Sequence, residues 1–322
     1  MSAPMRLSVV IPAHNEEAVL HQTHAELMRI LGDLLEQNLI AKESFVCFVD
    51  DGSRDSTWEI LSAFSHDSSQ PIRTMALKLS RNYGHQNALL AGLEYVAQSC
   101  DYAISIDCDL QDDISVFGEF IARAGQGAEV IYGVRKSRLK DSFFKKHTAL
   151  GFYKLMGLMG VKITYNHADY RMLSRRAIAS LLRFSEVNLF LRGIVPLLGF
   201  QSAVVEYDRL ERYAGESKYP LMKMLSFAWN GITSFSVTPL RLVSVLGVVF
   251  FMLSLGLGCY ALFVKLFTDG VVYGWASTII PLCFFSGIQL LSLGVIGEYV
   301  GKIYAESKRR PRYFVEEVTG ER

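Results

Sequence analysis

The sequence predicts an α/β domain built on a mostly parallel β-sheet, followed by a C-terminal hairpin of two membrane-spanning helices. Three observations predict this fold class. Short apolar, strand-like runs alternate with helical patterns as far as Arg135. Three of these runs end in polar or acidic residues, as strands do at the ligand-binding edge of an open sheet. Two long uncharged apolar segments lie in the last third of the chain.

The strand and helix predictions follow the order of the chain. Strands are predicted at residues 7–12, 45–49, 72–79, 102–106 and 130–135. The intervening helical patterns predict helices at about residues 19–36, 58–64 and 87–98. This alternation indicates a doubly wound sheet, because parallel strands need crossover connections.

The composition restricts the class of function. The 322-residue chain has a net charge of +1, so nothing indicates bulk nucleic-acid binding. Its five cysteines show no Cys-x-x-Cys spacing, which favours reduced thiols over a disulfide framework or a zinc site. The first residues run directly into a strand, and we therefore expect no signal peptide.

Acidic and polar residues follow the first, second and fourth predicted strands. They are His14 and Glu16, then Asp50 and Asp51, then Asp107, Asp109 and Gln111. In a parallel sheet these strand ends share one edge, and clustered carboxylates repel one another unless a cation is present. We therefore predict a divalent cation with a nucleotide diphosphate, whereas Asp-x-Asp alone is also typical of a turn. A Gly-x-Gly-x-x-Gly fingerprint and a P-loop are both absent from the sequence.

Four motifs in order carry a family resemblance. They are Ile-Pro-Ala-His-Asn-Glu-Glu, Asp-Asp-Gly-Ser-Arg-Asp-Ser-Thr, Leu-Ser-Arg-Asn-Tyr-Gly-His and Asp-Cys-Asp-Leu-Gln-Asp. The chain resembles the family 2 glycosyltransferases, which implies a Rossmann-like GT-A catalytic domain. The resemblance implies that Asp109, helped by Asp107 and Gln111, holds Mg²⁺ or Mn²⁺ on the donor diphosphate. The implied nucleotide-sugar site comprises Pro12, His14, Glu16, Asp51, Asp107, Cys108, Gln111 and Arg135.

Three later motifs resemble the polyprenyl-phosphate branch of this family, which includes dolichyl-phosphate mannose synthases and bacterial bactoprenol glucosyltransferases. They are Asp169-Tyr-Arg171-Met-Leu, Phe-Leu-Arg192-Gly and Arg212-x-x-Gly-Glu-Ser217-Lys218-Tyr. The catalytic residues implied are Asp109, Asp169 and Arg171, and those implied for phosphate or acceptor binding are Lys145, Arg192, Arg212, Ser217 and Lys218. For the loop around residue 215, a solvated charged loop is the alternative to a phosphate-binding loop. For residues 135–162 the alternatives are a core helix and an interfacial helix.

Two positions depart from the family pattern. His167-Ala168 stands where Gly or Ser-Gly often precedes the second acidic motif. The usual Gln-Asp-Pro-Pro after the Asp-x-Asp pair is here Gln111-Asp112-Asp113-Ile114, so Asp113 and Ile114 stand in place of the two prolines and the turn set by them is missing.

The C-terminal apolar segments are residues 242–264 and 277–297, each long enough to cross a bilayer. Buried core helices are the alternative. Arg241 precedes the first segment, and Lys302, Lys308, Arg309, Arg310 and Arg312 follow the second, so the positive-inside rule places both flanks in the cytoplasm. The predicted domains are a cytosolic catalytic domain at 1–219, juxtamembrane amphipathic helices at 220–241, the two spans within 242–300 and a basic cytosolic tail at 301–322.

Together these features lead us to expect a multi-pass enzyme of the plasma (inner) membrane. It would transfer a sugar, with inversion, from a nucleotide-sugar donor to undecaprenyl or another polyprenyl phosphate. Glucose from UDP-glucose is favoured over mannose from GDP-mannose, and no residue separates uracil from guanine. A non-catalytic membrane scaffold is the alternative from another class. The sequence leaves the oligomeric state open, and a homo-oligomer such as a tetramer is one arrangement that it allows.

Overall fold

The computed structural model describes residues 4–136, 167–186, 189–208, 233, 236–267 and 274–320, and the chain divides into two compact units. One unit contains all the described strands, including one formed after residue 308. The other contains two long apolar helices. The predicted fold class, a mostly parallel α/β domain with two apolar C-terminal helices, is confirmed.

Strands and helices alternate in the first unit. The strands are β1 (Leu7–Ala13), β2 (Phe45–Asp50), β3 (Arg73–Leu79), β4 (Tyr102–Ser105), β5 (Val130–Arg135), β6 (His167–Ser174), β7 (Ser202–Tyr207) and β8 (Val315–Thr319). The helices are α1 (Leu20–Glu36), α2 (Thr57–His66), α3 (His85–Val96), α4 (Phe117–Gly125), α5 (Arg175–Leu181) and α6 (Leu191–Ile194). The first five strands and the first three helices lie where the sequence predicts them, and each begins and ends within two residues of the predicted position. The sequence analysis did not predict β6, β7 or β8.

The strands form one eight-stranded sheet in the order β7-β5-β6-β4-β1-β2-β3-β8. β4, β1, β2 and β3 pair in parallel, whereas β6 is antiparallel to β4 and β8 is antiparallel to β3. Since Ser105 at the end of β4 pairs with Arg171, the first residues of β6 lie at the edge where β1 to β4 end. This topology brings the acidic loops after β1, β2 and β4 and the start of β6 to one side of the sheet.

The central strands are mostly apolar, as is typical of a parallel sheet that helices cover on both faces. Every residue of β1 and of β2 is buried. Pro12 is accommodated near the end of β1, because the pairing of β1 with β4 ends at Val10. The apolar stripe of α1, which includes Leu20, Leu27 and Leu31, packs into the same core.

Helix α3 packs closely on the sheet at Gly92. A Cβ atom at this position would lie 2.4 Å from Val10 Cγ1 and 2.8 Å from Val49 Cγ2. We therefore expect Gly92→Ala to lower the free energy of unfolding by about 1–3 kcal/mol, through overpacking against two stiff side chains. Gly125→Ala in α4 is the matched control, since nothing lies within 4 Å of its added Cβ. Equal thermal unfolding midpoints for the two variants would contradict this close packing.

The second unit contains α7 (Thr238–Phe267) and α8 (Trp275–Ser307). The predicted spans 242–264 and 277–297 fall within these two helices. Segments Thr238–Tyr260 and Phe284–Ser307 are long and apolar enough to cross a membrane, and neither is buried within the described part of the chain. Phe250 of α7 contacts Phe284 and Phe285 of α8 edge-on, at ring-centroid distances of 5.8 and 5.6 Å. Two exposed apolar helices of this length indicate association with a membrane.

Strand β8 returns the end of the chain to the first unit. It pairs with β3, and Ser80 N donates to Phe314 O over 3.0 Å just before the strand. Lys78 Nζ lies 3.5 Å from Glu316 Oε1, and the Ser65 hydroxyl donates to Thr319 Oγ1 over 2.8 Å. The last part of the predicted basic tail is therefore an edge strand of the sheet.

Candidate active site

The candidate site lies at the edge of the sheet where β1 to β4 end and β6 begins. The loop after β1 is fixed against the loop after β2. His14 Nδ1 lies 2.9 Å from the carbonyl oxygen of Asp51, and the backbone N–H of Glu16 donates to Thr57 Oγ1 over 2.9 Å. Between them Asn15 adopts a left-handed conformation with φ 55°. The turn thereby leaves His14 exposed and Glu16 half-buried at the cleft rim.

Asp51 fastens the loop that joins β3 to α3. Its two carboxylate oxygens accept hydrogen bonds from the backbone N–H groups of Tyr83 and Gly84, over 2.7 and 2.9 Å. Burial raises the pKa of Asp51, although both hydrogen bonds favour its charged form. A Cβ at the adjacent Gly52, whose φ is +63°, would lie 2.4 Å from the backbone carbon of Arg81. The family resemblance implies that Asp51 belongs to the nucleotide-sugar site. A direct contact from its carboxylate to a ribose or base would compete with these two backbone hydrogen bonds.

A polar cavity of about 590 Å³ opens beside these loops. Its lining includes His14, Ser53, Arg54, Lys78, Arg81 and Glu316. The size and the hydrogen-bonding groups of the cavity suit a polar ligand such as a nucleoside. Glu316 in its lining comes from β8, which was not predicted from the sequence.

The end of β4 and the start of β6 each bring one acidic residue to the same histidine. His85 Nε2 lies 3.5 Å from Asp107 Oδ1 and 4.0 Å from Asp169 Oδ2. Displacement of water by the surrounding protein, together with the charges of Asp112, Asp169 and Asp109, raises the pKa of Asp107 to about 6, against the opposing effect of His85. Carboxylates crowded in this way favour binding of a cation. His85 was not among the predicted site residues, although the Tyr-Gly-His motif at a strand end could have indicated it.

Asp109 lies in a tight turn after β4. Its Oδ1 accepts a hydrogen bond from the backbone N–H of Gln111 over 3.2 Å, and Leu110 between them adopts a left-handed φ of 48°. The Gln111 side chain is mostly buried, at 7% exposure. Cys108, predicted to belong to the donor site, is part of the hydrophobic core at 4% exposure, and its carbonyl oxygen accepts a hydrogen bond from the Thr23 hydroxyl over 2.7 Å.

Side-chain hydrogen bonds hold the loop that lacks the two prolines. The Asp112 carboxylate accepts hydrogen bonds from the Tyr207 hydroxyl and from Arg135 Nη2, the latter over 3.2 Å. Asp113 caps the next turn through its side chain, and its carbonyl oxygen accepts a bond from the Tyr170 hydroxyl over 2.9 Å. Arg135, predicted to belong to the nucleotide-sugar site, therefore helps to hold the loop that follows the Asp-x-Asp pair. Tyr207 was missed because no local pattern links it to Asp112.

Asp169 joins two arginines at the start of β6. Its carboxylate pairs with Arg171 and with Arg192, whose Nη2 lies 3.1 Å from Asp169 Oδ2. Arg171 is 2% exposed and also donates from Nη1 to the carbonyl oxygen of Leu191 over 3.3 Å. The backbone N–H of Leu191 in turn donates to Gln86 Oε1 over 2.9 Å. The three predicted residues Asp169, Arg171 and Arg192 thus form one group, which adjoins His85.

The remaining predicted acceptor residues, Lys145, Arg212, Ser217 and Lys218, lie outside the described residues, as do most of 135–162 and 220–241. In the described ranges no group of three or more His, Cys, Asp or Glu side chains is arranged to hold a metal ion. Mg²⁺ usually binds through one or two carboxylates and the substrate phosphates, so Asp107 and Asp109 supply a suitable oxygen donor set without a third acidic ligand.

Two family models match the chain. Residues 8–182 match the family described as Glycosyl transferase family 2, and residues 238–303 match the GtrB C-terminal hairpin. The first of these matches ends directly after α5, and the second covers most of α7 and α8.

Similar proteins extend over nearly the whole chain. An uncharacterized glycosyltransferase of Bacillus subtilis, YkoT, is 51% identical over 96% of this chain and 91% of its own length. The bactoprenol glucosyl transferase of Shigella phage SfV is 37% identical over 97% of this chain and 98% of its own length. A prophage bactoprenol glucosyl transferase homolog of Escherichia coli is 34% identical over 98% of this chain and 99% of its own length.

Proposed function

Because the chain belongs to the family 2 glycosyltransferases, we propose that it transfers a sugar from a nucleotide diphosphate sugar to the phosphate of a polyprenyl lipid. The observation that carries the proposal is that one chain combines a polar cleft, in which acidic residues and arginines pair, with a GtrB-type apolar hairpin. The cleft suits a charged donor, and the hairpin suits an acceptor that is held in lipid. The products are a polyprenyl-monophosphate sugar and a nucleoside diphosphate.

We propose UDP-glucose as the donor. Relatives named bactoprenol glucosyl transferase, which match almost the whole chain, support glucose over mannose. The cavity of about 590 Å³ beside His14 and Arg81 would take the nucleoside, and the turn at Asp109 would face the diphosphate. GDP-mannose is the alternative donor.

In the proposed reaction an oxygen of the lipid phosphate attacks the anomeric carbon of the sugar. The bond from that carbon to the donor diphosphate breaks on the opposite side, which inverts the anomeric configuration. A phosphate monoester has a second pKa of about 6 and is largely dianionic at pH 7. The nucleophile therefore needs no strong general base.

The two arginines that pair with Asp169 favour a positioning role for it over a role as general base. Burial alone would favour its neutral form, yet the guanidinium groups of Arg171 and Arg192 hold the pKa of Asp169 well below its usual range. A carboxylate stabilised in this way is a weak base. Asp169 would instead orient Arg192, whose side chain is 36% exposed, toward the phosphate of the acceptor.

Asp109, with Asp107 and Gln111, would hold Mg²⁺ or Mn²⁺ beside the donor diphosphate. When bound, such a cation stabilises the negative charge that develops on the departing diphosphate. The contribution of the protein is to fix the turn at Asp109 through the backbone bond to Gln111 and the contacts of Asp112 with Arg135 and Tyr207.

We propose that α7 and α8 both cross the plasma membrane and that the catalytic domain and both termini are cytoplasmic. The cluster of Lys and Arg residues after residue 301 supports this orientation. Nucleotide sugars are made in the cytosol, so a cytoplasmic cleft would meet its donor there.

A donor panel tests the function. The full-length protein in membranes with undecaprenyl phosphate and Mg²⁺ or Mn²⁺ is offered UDP-glucose, other UDP-sugars and GDP-mannose. We expect a lipid-linked glucose and release of UDP from UDP-glucose, with at least roughly tenfold lower rates for the other donors. A preference for GDP-mannose would replace the donor assignment. Failure of every donor to react would favour the non-catalytic scaffold.

A further inference from the structure

A second cavity, of about 300 Å³, is lined in part by the β3–α3 loop. It is formed by two segments that are more than 200 residues apart in the sequence. Arg81, Asn82, Tyr83 and Asn87 come from the loop and the start of α3, and Arg310 and Arg312 come from the segment after α8.

The segment 310–312 is fixed in place rather than part of a free tail. Arg312 donates to the carbonyl oxygen of Phe184, and the Tyr313 hydroxyl donates to the carboxylate of Glu94. Directly after these residues β8 begins its pairing with β3. Arg310 is therefore held at the cavity by the strand that follows it.

The lining is strongly cationic. Arg81, Arg310 and Arg312 bring three guanidinium groups to one small cavity, and none of the described residues that line it carries a carboxylate. Like charges in such proximity repel one another unless an anion compensates them. Arginine side chains match the geometry of phosphate oxygens, and the amides of Asn82 and Asn87 add further polar groups.

From this geometry we infer that the cavity binds the phosphate group of an anionic phospholipid, at a site separate from the transfer reaction. Arg310 is the third residue after Ser307, where the second apolar helix ends, so only Lys308 and Arg309 separate it from that helix in the sequence. Basic residues next to a membrane span attract anionic headgroups. A soluble phosphate has the same recognition chemistry and is the other source to be tested.

The site would also contact the donor side of the cleft. Arg81 and Asn82 line both the cavity of about 300 Å³ and the larger cavity of about 590 Å³. An anion bound to Arg81 would thus contact the same loop that Asp51 holds through the backbone N–H groups of Tyr83 and Gly84. The anion site would be the same whichever sugar is transferred.

The test uses the full-length protein in nanodiscs of phosphatidylcholine mixed with phosphatidylglycerol. Native mass spectrometry counts the lipids retained by the wild type, Arg310→Gln and Arg309→Gln. Arg309 is the matched control, because it is an exposed neighbour with the same charge that does not line the cavity. We expect Arg310→Gln to reduce the ratio of retained phosphatidylglycerol to phosphatidylcholine roughly tenfold and Arg309→Gln to leave it unchanged.

A second arm titrates inorganic phosphate against the same three proteins in nanodiscs of phosphatidylcholine alone, with thermal stabilisation as the readout. Phosphate stabilisation lost only in Arg310→Gln, without any preference for phosphatidylglycerol, would support an anion site for a soluble phosphate and overturn the lipid source. Equal behaviour of Arg310→Gln and Arg309→Gln in both arms would overturn the site. Unchanged circular dichroism of Arg310→Gln shows that folding is not the cause, and Arg310→Lys should recover part of the binding.

Discussion

Asp109→Asn is expected to lower the rate of sugar transfer roughly 100-fold or more. The asparagine oxygen can still accept the backbone bond from Gln111, so the turn keeps its shape while the negative charge is lost. The loss should appear in the chemical step, because the carboxylate would hold the cation, and the cation would offset the negative charge that develops on the departing diphosphate. The measurement is single-turnover transfer from UDP-glucose, together with Mn²⁺ binding in the presence of UDP by electron paramagnetic resonance.

Asp113→Asn is the matched control for this experiment. It makes the same substitution four residues away, where the side chain caps a turn, and asparagine is an equally good cap. We expect near wild-type transfer and Mn²⁺ binding from this control. Wild-type activity in Asp109→Asn would remove Asp109 from the metal site, and equal losses in both variants would indicate a general disturbance of the loop.

Asp169→Asn is expected to lower the free energy of unfolding by about 3–5 kcal/mol at pH 7. The substitution leaves the guanidinium of Arg171 buried, at 2% exposure, without its counter-charge, and also removes the partner of Arg192. In a domain of this size the thermal midpoint should fall by roughly 10 °C. Circular dichroism melting of the full-length protein in detergent measures this shift.

Asp101→Asn provides the comparison. Asp101 also pairs with two arginines, Arg6 over 2.7 Å and Arg175 over 3.2 Å, but its side chain is 39% exposed. Exposed pairs contribute less than about 1 kcal/mol, so this variant should melt close to the wild type. Equal shifts for the two variants would contradict a buried charge pair at Asp169.

The Asp169 contribution should also depend on pH in a defined direction. Because the folded pKa of Asp169 is lowered, its stabilising effect is fully present above the unfolded value of about 3.9 and is lost as the pH falls below it. The difference in melting temperature between the wild type and Asp169→Asn should therefore shrink below about pH 4. Because Asp169→Asn is expected to unfold more easily, its transfer rate must be divided by the amount of folded protein before it is compared with that of Asp109→Asn.

The sequence by itself determined the strand positions, the fold class and the two apolar C-terminal helices of this protein. Apolar runs such as Leu7–Ala13 and Phe45–Asp50 have a composition that only a covered parallel sheet accommodates, so strand positions and fold class could be predicted locally. The acidic residues at strand ends, Asp51, Asp107 and Asp109, could be assigned to one edge because parallel strands end together. The apolar hairpin was predictable because length and hydropathy alone decide whether a helix can cross a bilayer.

The tertiary structure decided which of these residues touch. The link from Asp107 through His85 to Asp169 joins β4, α3 and β6, and the bond from Tyr207 to Asp112 spans 95 residues. The return of Val315–Thr319 to the sheet, and with it the grouping of Arg310 with Arg81, depends on strand pairing between distant segments. Local periodicity encodes burial and secondary structure, whereas pairing between distant residues depends on how the elements pack, and no single stretch of sequence contains that information.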